Sequence, residues 1–165
     1  MRITGRLLGF ILTISTMAVV QATSPVRPDF SGTWMIVPSR SIWLDEGNAV
    51  HVTVFGERFA AKQTDRMLTI AIENEKGFKW VYNLDGQVSL NSPPGPLGVQ
   101  QTSSSVTWSD SELIIAISGL ANHVGQEPSP HTRRILKLDA DGTLRVEAPW
   151  GPNGAMISSV YARVR

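Results

Sequence analysis

The feature that most constrains this chain is an alternation of side-chain character with a period of two residues. Aromatic or aliphatic residues occupy positions 78, 80, 82 and 84 of one run, and aliphatic residues occupy positions 113, 115 and 117 of another. Alternation of this kind turns one face of a β-strand toward a core and leaves the other face polar. No part of the chain after residue 22 shows a helical period over three turns, so the pattern predicts an all-β protein.

Turn signals separate these runs, among them the Asp-Gly pairs at 85–86 and 141–142. Glycine adopts a positive φ at little cost and aspartate tolerates it, so such pairs favour tight turns. The predicted strands lie near 30–37, 49–55, 58–64, 67–73, 78–84, 99–108, 112–118, 132–139, 143–148 and 155–164. The first two strands after residue 40 are either one strand bent at Gly56 or a loop followed by a strand.

Short strands with tight turns are typical of an antiparallel meander. We therefore predict a single up-and-down β-barrel of eight to ten strands, because a closed barrel leaves no exposed sheet edges. Two longer connections interrupt it, at 91–98, which contains three prolines, and at 119–131. The prolines keep residues 91–98 out of any central strand.

The first 22 residues have the pattern of a secretory signal peptide. Arg2 and Arg6 precede an uncharged, almost wholly apolar run from Leu7 to Val20, and small residues follow up to Ala22. This run is shorter than the roughly 20 residues that span a membrane. We predict cleavage after Ala22, a mature domain at 23–165 without a membrane span, and export to the periplasm or the extracellular space.

Charge and cysteine content exclude several classes of function. Removing Arg2 and Arg6 from the fifteen basic residues leaves thirteen against fourteen acidic ones. This balance gives no basic footprint for nucleic acid. The absence of cysteine excludes disulfides, thiolate metal ligands, a thiol nucleophile and a lipid-anchor cysteine. The sequence does not fix an oligomeric state.

The opening of the mature domain carries a family resemblance. Residues 28–34 read Pro-Asp-Phe-Ser-Gly-Thr-Trp, Pro-Ser-Arg-Ser follows at 38–41, and Tyr-Asn-Leu-Asp-Gly stands at 82–86. A Gly-x-Trp on the first strand resembles the lipocalins and their calycin relatives, and the longer pattern is similar to a group of exported bacterial lipocalin-like proteins. The resemblance implies a lipocalin-like barrel in which Arg163, on the last strand, packs over Trp34. A barrel with more strands, like that of the fatty-acid-binding proteins, is equally compatible.

The principal functional hypothesis is a small hydrophobic or amphipathic ligand held inside the barrel. Small barrels are either filled by side chains or hold one such molecule. The candidate lining residues are Phe78, Trp80, Tyr82, Val106 and Trp108. The tyrosine hydroxyl would orient the ligand, unless it bonds a neighbouring carbonyl group instead. The alternative is that these side chains fill the core and leave no cavity.

A second hypothesis is an interaction module that acts through its rim. Trp150 lies in the Gly/Pro-rich segment 149–154, and Trp43 lies in an apolar loop. A tryptophan at a turn either covers the barrel mouth, contacts a ligand or partner, or folds back onto the rim. We include Trp150 among the candidate ligand-binding residues.

Metal binding and catalysis have little support in the sequence. His123, Glu127 and His131 share a loop, but their spacing does not fix a ligand geometry. The sequence contains no Gly-x-Ser-x-Gly elbow and no phosphate-binding glycine loop. We predict no metal, cofactor or catalytic residue. The remaining enzymatic alternative is an isomerase or hydratase acting on an apolar substrate, with His51 inside the barrel.

Overall fold

The computed structural model describes residues 27–45, 48–51, 53–74, 77–95, 98–99, 101–119, 132–150 and 155–165. The predicted signal peptide at 1–22 lies outside these ranges, as do His123, Glu127 and His131. In chain order, the strands are β1 (Gly32–Ile36), β2 (Ile42–Asp45), β3 (Asn48–His51), β4 (Arg58–Gln63), β5 (Met67–Ile72), β6 (Trp80–Asn83), β7 (Ser89–Asn91), β8 (Pro94–Gly95), β9 (Gly98–Val99), β10 (Thr102–Ser109), β11 (Glu112–Ser118), β12 (Thr132–Leu138), β13 (Leu144–Trp150) and β14 (Ala155–Val164).

Ten of these strands form one antiparallel sheet in the order β6-β5-β4-β1-β14-β13-β12-β11-β10-β7. The sheet follows the chain from strand to strand, and β14 returns to pair with β1. It curls into a nearly closed barrel, which confirms the predicted all-β, up-and-down architecture of eight to ten strands. The remaining strands form two separate hairpins, β2–β3 and β8–β9.

The barrel closes between β6 and β7 through side chains rather than through a backbone ladder. The amide N–H of Val81 donates to Asn91 Oδ1 at 2.8 Å, and Asn91 Nδ2 donates to the carbonyl of Val81 at 3.0 Å. The N–H of Asn83 donates to Ser89 Oγ at 2.7 Å. These bonds satisfy backbone groups that an open edge would leave unpaired. We call these contacts the β6–β7 seam.

The two ends of the barrel differ in how the strands are connected. At one end the connections are tight turns at 64–66, 84–88, 109–111 and 139–143. At the other end β5, β7 and β11 finish, and the chain segments to the next strand of the sheet are longer there. This division follows from the topology, since an up-and-down barrel places alternate connections at opposite ends. We call the end with the tight turns the Trp34 end and the other the loop end.

Trp34 fills the core near the end that bears its name. Its side chain is fully buried, and its Nε1–H donates to the carbonyl of Phe30 at 2.9 Å. The Arg163 guanidinium carbon lies 4.8 Å from the Trp34 ring centroid, and the two residues are partners in the β1–β14 register. The predicted Arg163–Trp34 contact is confirmed. Gly32 permits it, because a Cβ there would lie 3.3 Å from Arg163 Nε.

Candidate functional site

Three of the predicted ligand-binding residues come together on the inner face of the barrel. Trp80 and Tyr82 are buried on β6, and their rings stack with centroids 6.2 Å apart. Phe78 is partly buried and meets the Trp80 ring edge-on at 5.2 Å. Val106 is also buried, so the alternation on β6 and β10 does point these side chains inward. Phe78, Trp80 and Tyr82 together form one side of the interior, which we call the aromatic wall.

Trp108 does not join this aromatic wall. It lies at the Trp34 end, opposite Leu113 in the β10–β11 register. Its ring stacks on Phe30 with centroids 6.1 Å apart, and the Arg27 guanidinium carbon lies 5.2 Å from its centroid. The contacts of Trp108 therefore belong to the packing of that end.

For Trp150 and Trp43, the predicted rim tryptophans, the structure describes the backbone position only. Trp150 ends β13 at the loop end and pairs with Ala155, and Trp43 pairs with Val50 in the β2–β3 hairpin. His51 pairs with Ile42 at the open end of the same hairpin. The side chains of Trp150, Trp43 and His51 lie outside the described part of the structure.

A residue that the sequence reasoning missed lies against the aromatic wall. Arg134 is on β12, and its side chain is only 9% exposed. Its guanidinium carbon lies 5.0 Å from the ring centroids of both Phe55 and Trp80. Its Nη1 donates to the Tyr82 hydroxyl at 3.4 Å, which spans the interior from β12 to β6. A cation thus reaches the centre of the barrel and is flanked by aromatic rings.

The electrostatic surroundings of Arg134 set it apart from the other inward-facing groups. Among the described residues, no carboxylate lies within ion-pair distance of its guanidinium group. By contrast, Arg145 on the outer face pairs with Asp139 at 2.8 Å. Guanidinium carries five N–H donors, and aromatic faces do not accept them as an anion would. Arg134 therefore retains donor capacity inside the barrel.

Further polar groups around this point are buried without a hydrogen-bond partner. They are Trp80 Nε1, Ser104 Oγ and Thr132 Oγ1. Ser104 and Thr132 are the cross-strand neighbours of Ile117 from either side, and Thr132 is two residues before Arg134 on the same face. These three groups therefore lie toward the loop end of the interior, whereas a fourth unpaired group among the described residues, Trp108 Nε1, lies at the Trp34 end. Buried polar groups without partners are uncommon in folded proteins and call for an explanation.

Phe55 enters the interior from the loop end. The N–H of Val54 donates to Ser159 Oγ at 3.1 Å, and the N–H of Phe55 donates to the Tyr161 hydroxyl at 3.0 Å. That hydroxyl in turn donates to the carbonyl of Gly56 at 3.2 Å. Burial raises the pKa of Tyr161 above its ordinary value, so the phenol stays protonated as a donor. These bonds to β14 thereby hold the Phe55 ring against the Arg134 guanidinium.

The described residues support no metal site and no membrane-spanning helix. They contain no group of three histidine, aspartate or glutamate side chains placed to hold a metal ion. No helix in the same ranges has the length and apolar character needed to cross a bilayer.

Comparison of the chain with models of known protein families gives no match, and neither does comparison with curated proteins.

Proposed function

We propose that this protein binds a small amphipathic molecule inside the barrel. The observation that carries the proposal is the set of buried, unpaired polar groups, Trp80 Nε1, Ser104 Oγ and Thr132 Oγ1. Apolar side chains adjoin them, including Ile117 on β11 and Val106 on β10. A bound molecule with polar atoms and an apolar body would satisfy both kinds of surface.

Access to this site is from the loop end. The Trp34 end is packed by Trp34 and Phe30, both fully buried, with Arg163 over the tryptophan ring. The unpaired hydroxyls of Ser104 and Thr132 lie on the opposite side of Arg134 from that packing. The lipocalin-like resemblance of the sequence is consistent with such a binding role, and the signal-peptide pattern is consistent with export.

The test is native mass spectrometry of the mature protein purified gently from its own host. We expect an additional mass that is lost on denaturation.

A second test uses the purified apo-protein, which should take up phenylnaphthylamine, a neutral apolar probe, with a rise in fluorescence. The matched variant is Val106→Trp, which should block uptake by filling the interior, and its control is Thr107→Trp on the outer face of the same strand. Absence of both a bound mass and probe uptake would contradict the proposal and leave the filled-barrel rim module as the better hypothesis.

A further inference from the structure

We infer that the ligand class is anionic, and that Arg134 binds its carboxylate or other oxyanion head group. The inference rests on the proposed binding function and adds the charge of the ligand to it. Two features carry it. One is a buried guanidinium without a described carboxylate partner, and the other is the unpaired hydroxyl of Thr132 two residues before it on the same face, with that of Ser104 across Ile117 from Thr132.

The placement of Arg134 requires an explanation of its own. Arginine is almost never fully buried unless it is paired, because removing a charge from water is costly. Here the described compensation is two ring contacts at 5.0 Å and one hydrogen bond of 3.4 Å to Tyr82. A hydrogen bond of that length is weak, and most of the guanidinium N–H groups have no described acceptor.

The chemistry of the surrounding groups favours an oxyanion over a neutral or cationic ligand. A guanidinium presents its donors in a planar fork that matches the oxygens of a carboxylate. The hydroxyl of Thr132 is on the same face of β12, and Trp80 of the aromatic wall contacts the guanidinium through its ring, so both residues near Arg134 carry a buried, unpaired donor. A cationic ligand would meet a like charge in a site of low dielectric. An anionic amphiphile is therefore the class that the site fits.

The experiment compares two probes that share one skeleton. Anilinonaphthalene sulfonate carries an anionic group, and phenylnaphthylamine is the same skeleton without it. We expect Arg134→Met to weaken binding of the sulfonate about tenfold or more, as loss of a charged hydrogen bond would, while phenylnaphthylamine changes less than about twofold. Arg134→Lys, which retains the charge, should weaken sulfonate binding less than Arg134→Met does.

The control is Arg133→Met, which removes the same charge from the outer face of the same strand. It should leave the affinity for both probes unchanged.

A competition measurement on the unmodified protein avoids any folding defect of the variants. Decanoate should displace phenylnaphthylamine at a lower concentration than decanol, although decanol is the more hydrophobic.

The outcomes separate the two proposals. If phenylnaphthylamine binds but decanoate has no advantage and Arg134→Met affects both probes equally, the anionic class is wrong and the binding function stands. If neither probe binds the unmodified protein, the binding function fails and the inference fails with it.

Discussion

Arg134 occupies a position that the strand pattern assigns to the core. In the segment 132–138, Leu136 and Leu138 share its face, and Ile115 is its cross-strand partner. The period-two alternation that places Trp80 and Tyr82 inside the barrel places this arginine inside as well. A charged residue at a predicted core position is thus the signal that could have found the site. What the sequence could not give is the partner set, because Phe55 and Trp80 come from distant segments.

Tyr161 is expected to stabilise the fold and to make it sensitive to alkaline pH. Tyr161→Phe would leave the buried Phe55 N–H without its acceptor and should lower the free energy of unfolding by about 1–3 kcal/mol. The phenol has an ordinary pKa of 10.0, and burial raises it in the folded protein. As pH rises above 10.0, the unfolded chain therefore loses this proton first and stability falls.

This alkaline loss of stability arises from ionisation of the Tyr161 phenol, so the Tyr161→Phe variant should not show it. Denaturant unfolding at neutral pH and again above pH 10.0 measures both effects. The wild-type protein should lose more stability than the variant over that interval. Equal losses would show that burial of this phenol does not contribute to the alkaline limb.

We expect the Arg163–Trp34 contact to contribute only modestly to the free energy of unfolding, because Arg163 is exposed. Arg163→Ala removes a cation–π contact and a hydrogen bond of 3.2 Å to the carbonyl of Asp29. We expect thermal unfolding to show a loss of about 0.5–1 kcal/mol. Arg165→Ala, which removes an equal charge two residues away, is the control and should change stability little. Indistinguishable effects would mean that the ring contact contributes nothing.

At the scale of elements, the β6–β7 seam is the least regular part of the barrel. It joins β6 and β7 through Ser89 and Asn91, whose side chains take the place of a backbone partner. Ser89→Ala should therefore expose the Asn83 N–H to exchange while the Val81 N–H, held by Asn91, stays protected. Hydrogen exchange followed residue by residue measures this directly.

Leu90 provides the control for the seam. It lies between Ser89 and Asn91, and its side chain points outward with 67% exposure. Leu90→Ala should leave both amides protected. If Ser89→Ala also leaves the Asn83 amide unchanged, the serine hydroxyl is not what closes the barrel.

Most predicted strands with alternating apolar residues were right, and short elements without that pattern were missed. Strands β4, β5, β11 and β12 lie within a residue or so of their predicted ranges. Strand β7 (Ser89–Asn91) was not predicted, because its inward residues are the polar Ser89 and Asn91. The idea of one strand bent at Gly56 is wrong: β3 pairs with β2 outside the main sheet, and Gly56 has a φ of 70° in the connection to β4.

At the scale of the whole molecule, the two ends of the barrel have different physical roles. The Trp34 end combines tight turns with the fully buried side chains of Trp34 and Phe30, which favours stability. The loop end combines longer connections with the unpaired buried hydroxyls of Ser104 and Thr132, which favours binding. The barrel and its closed meander could be predicted from the periodicity. The polarity difference between its ends could not, because it depends on which inward residues share a level after the strands are staggered.

The central claim is that an anionic amphiphile occupies the loop-end half of the interior. The most direct test is a titration of the isotopically labelled protein with decanoate, monitored by amide and arginine side-chain NMR signals. The account predicts saturable shifts at Arg134, Thr132, Ser104 and the Trp80 indole N–H, with the turn at Asp141–Thr143 unchanged. Shifts confined to the outer face of the sheet, or no saturable shift at Arg134, would contradict it.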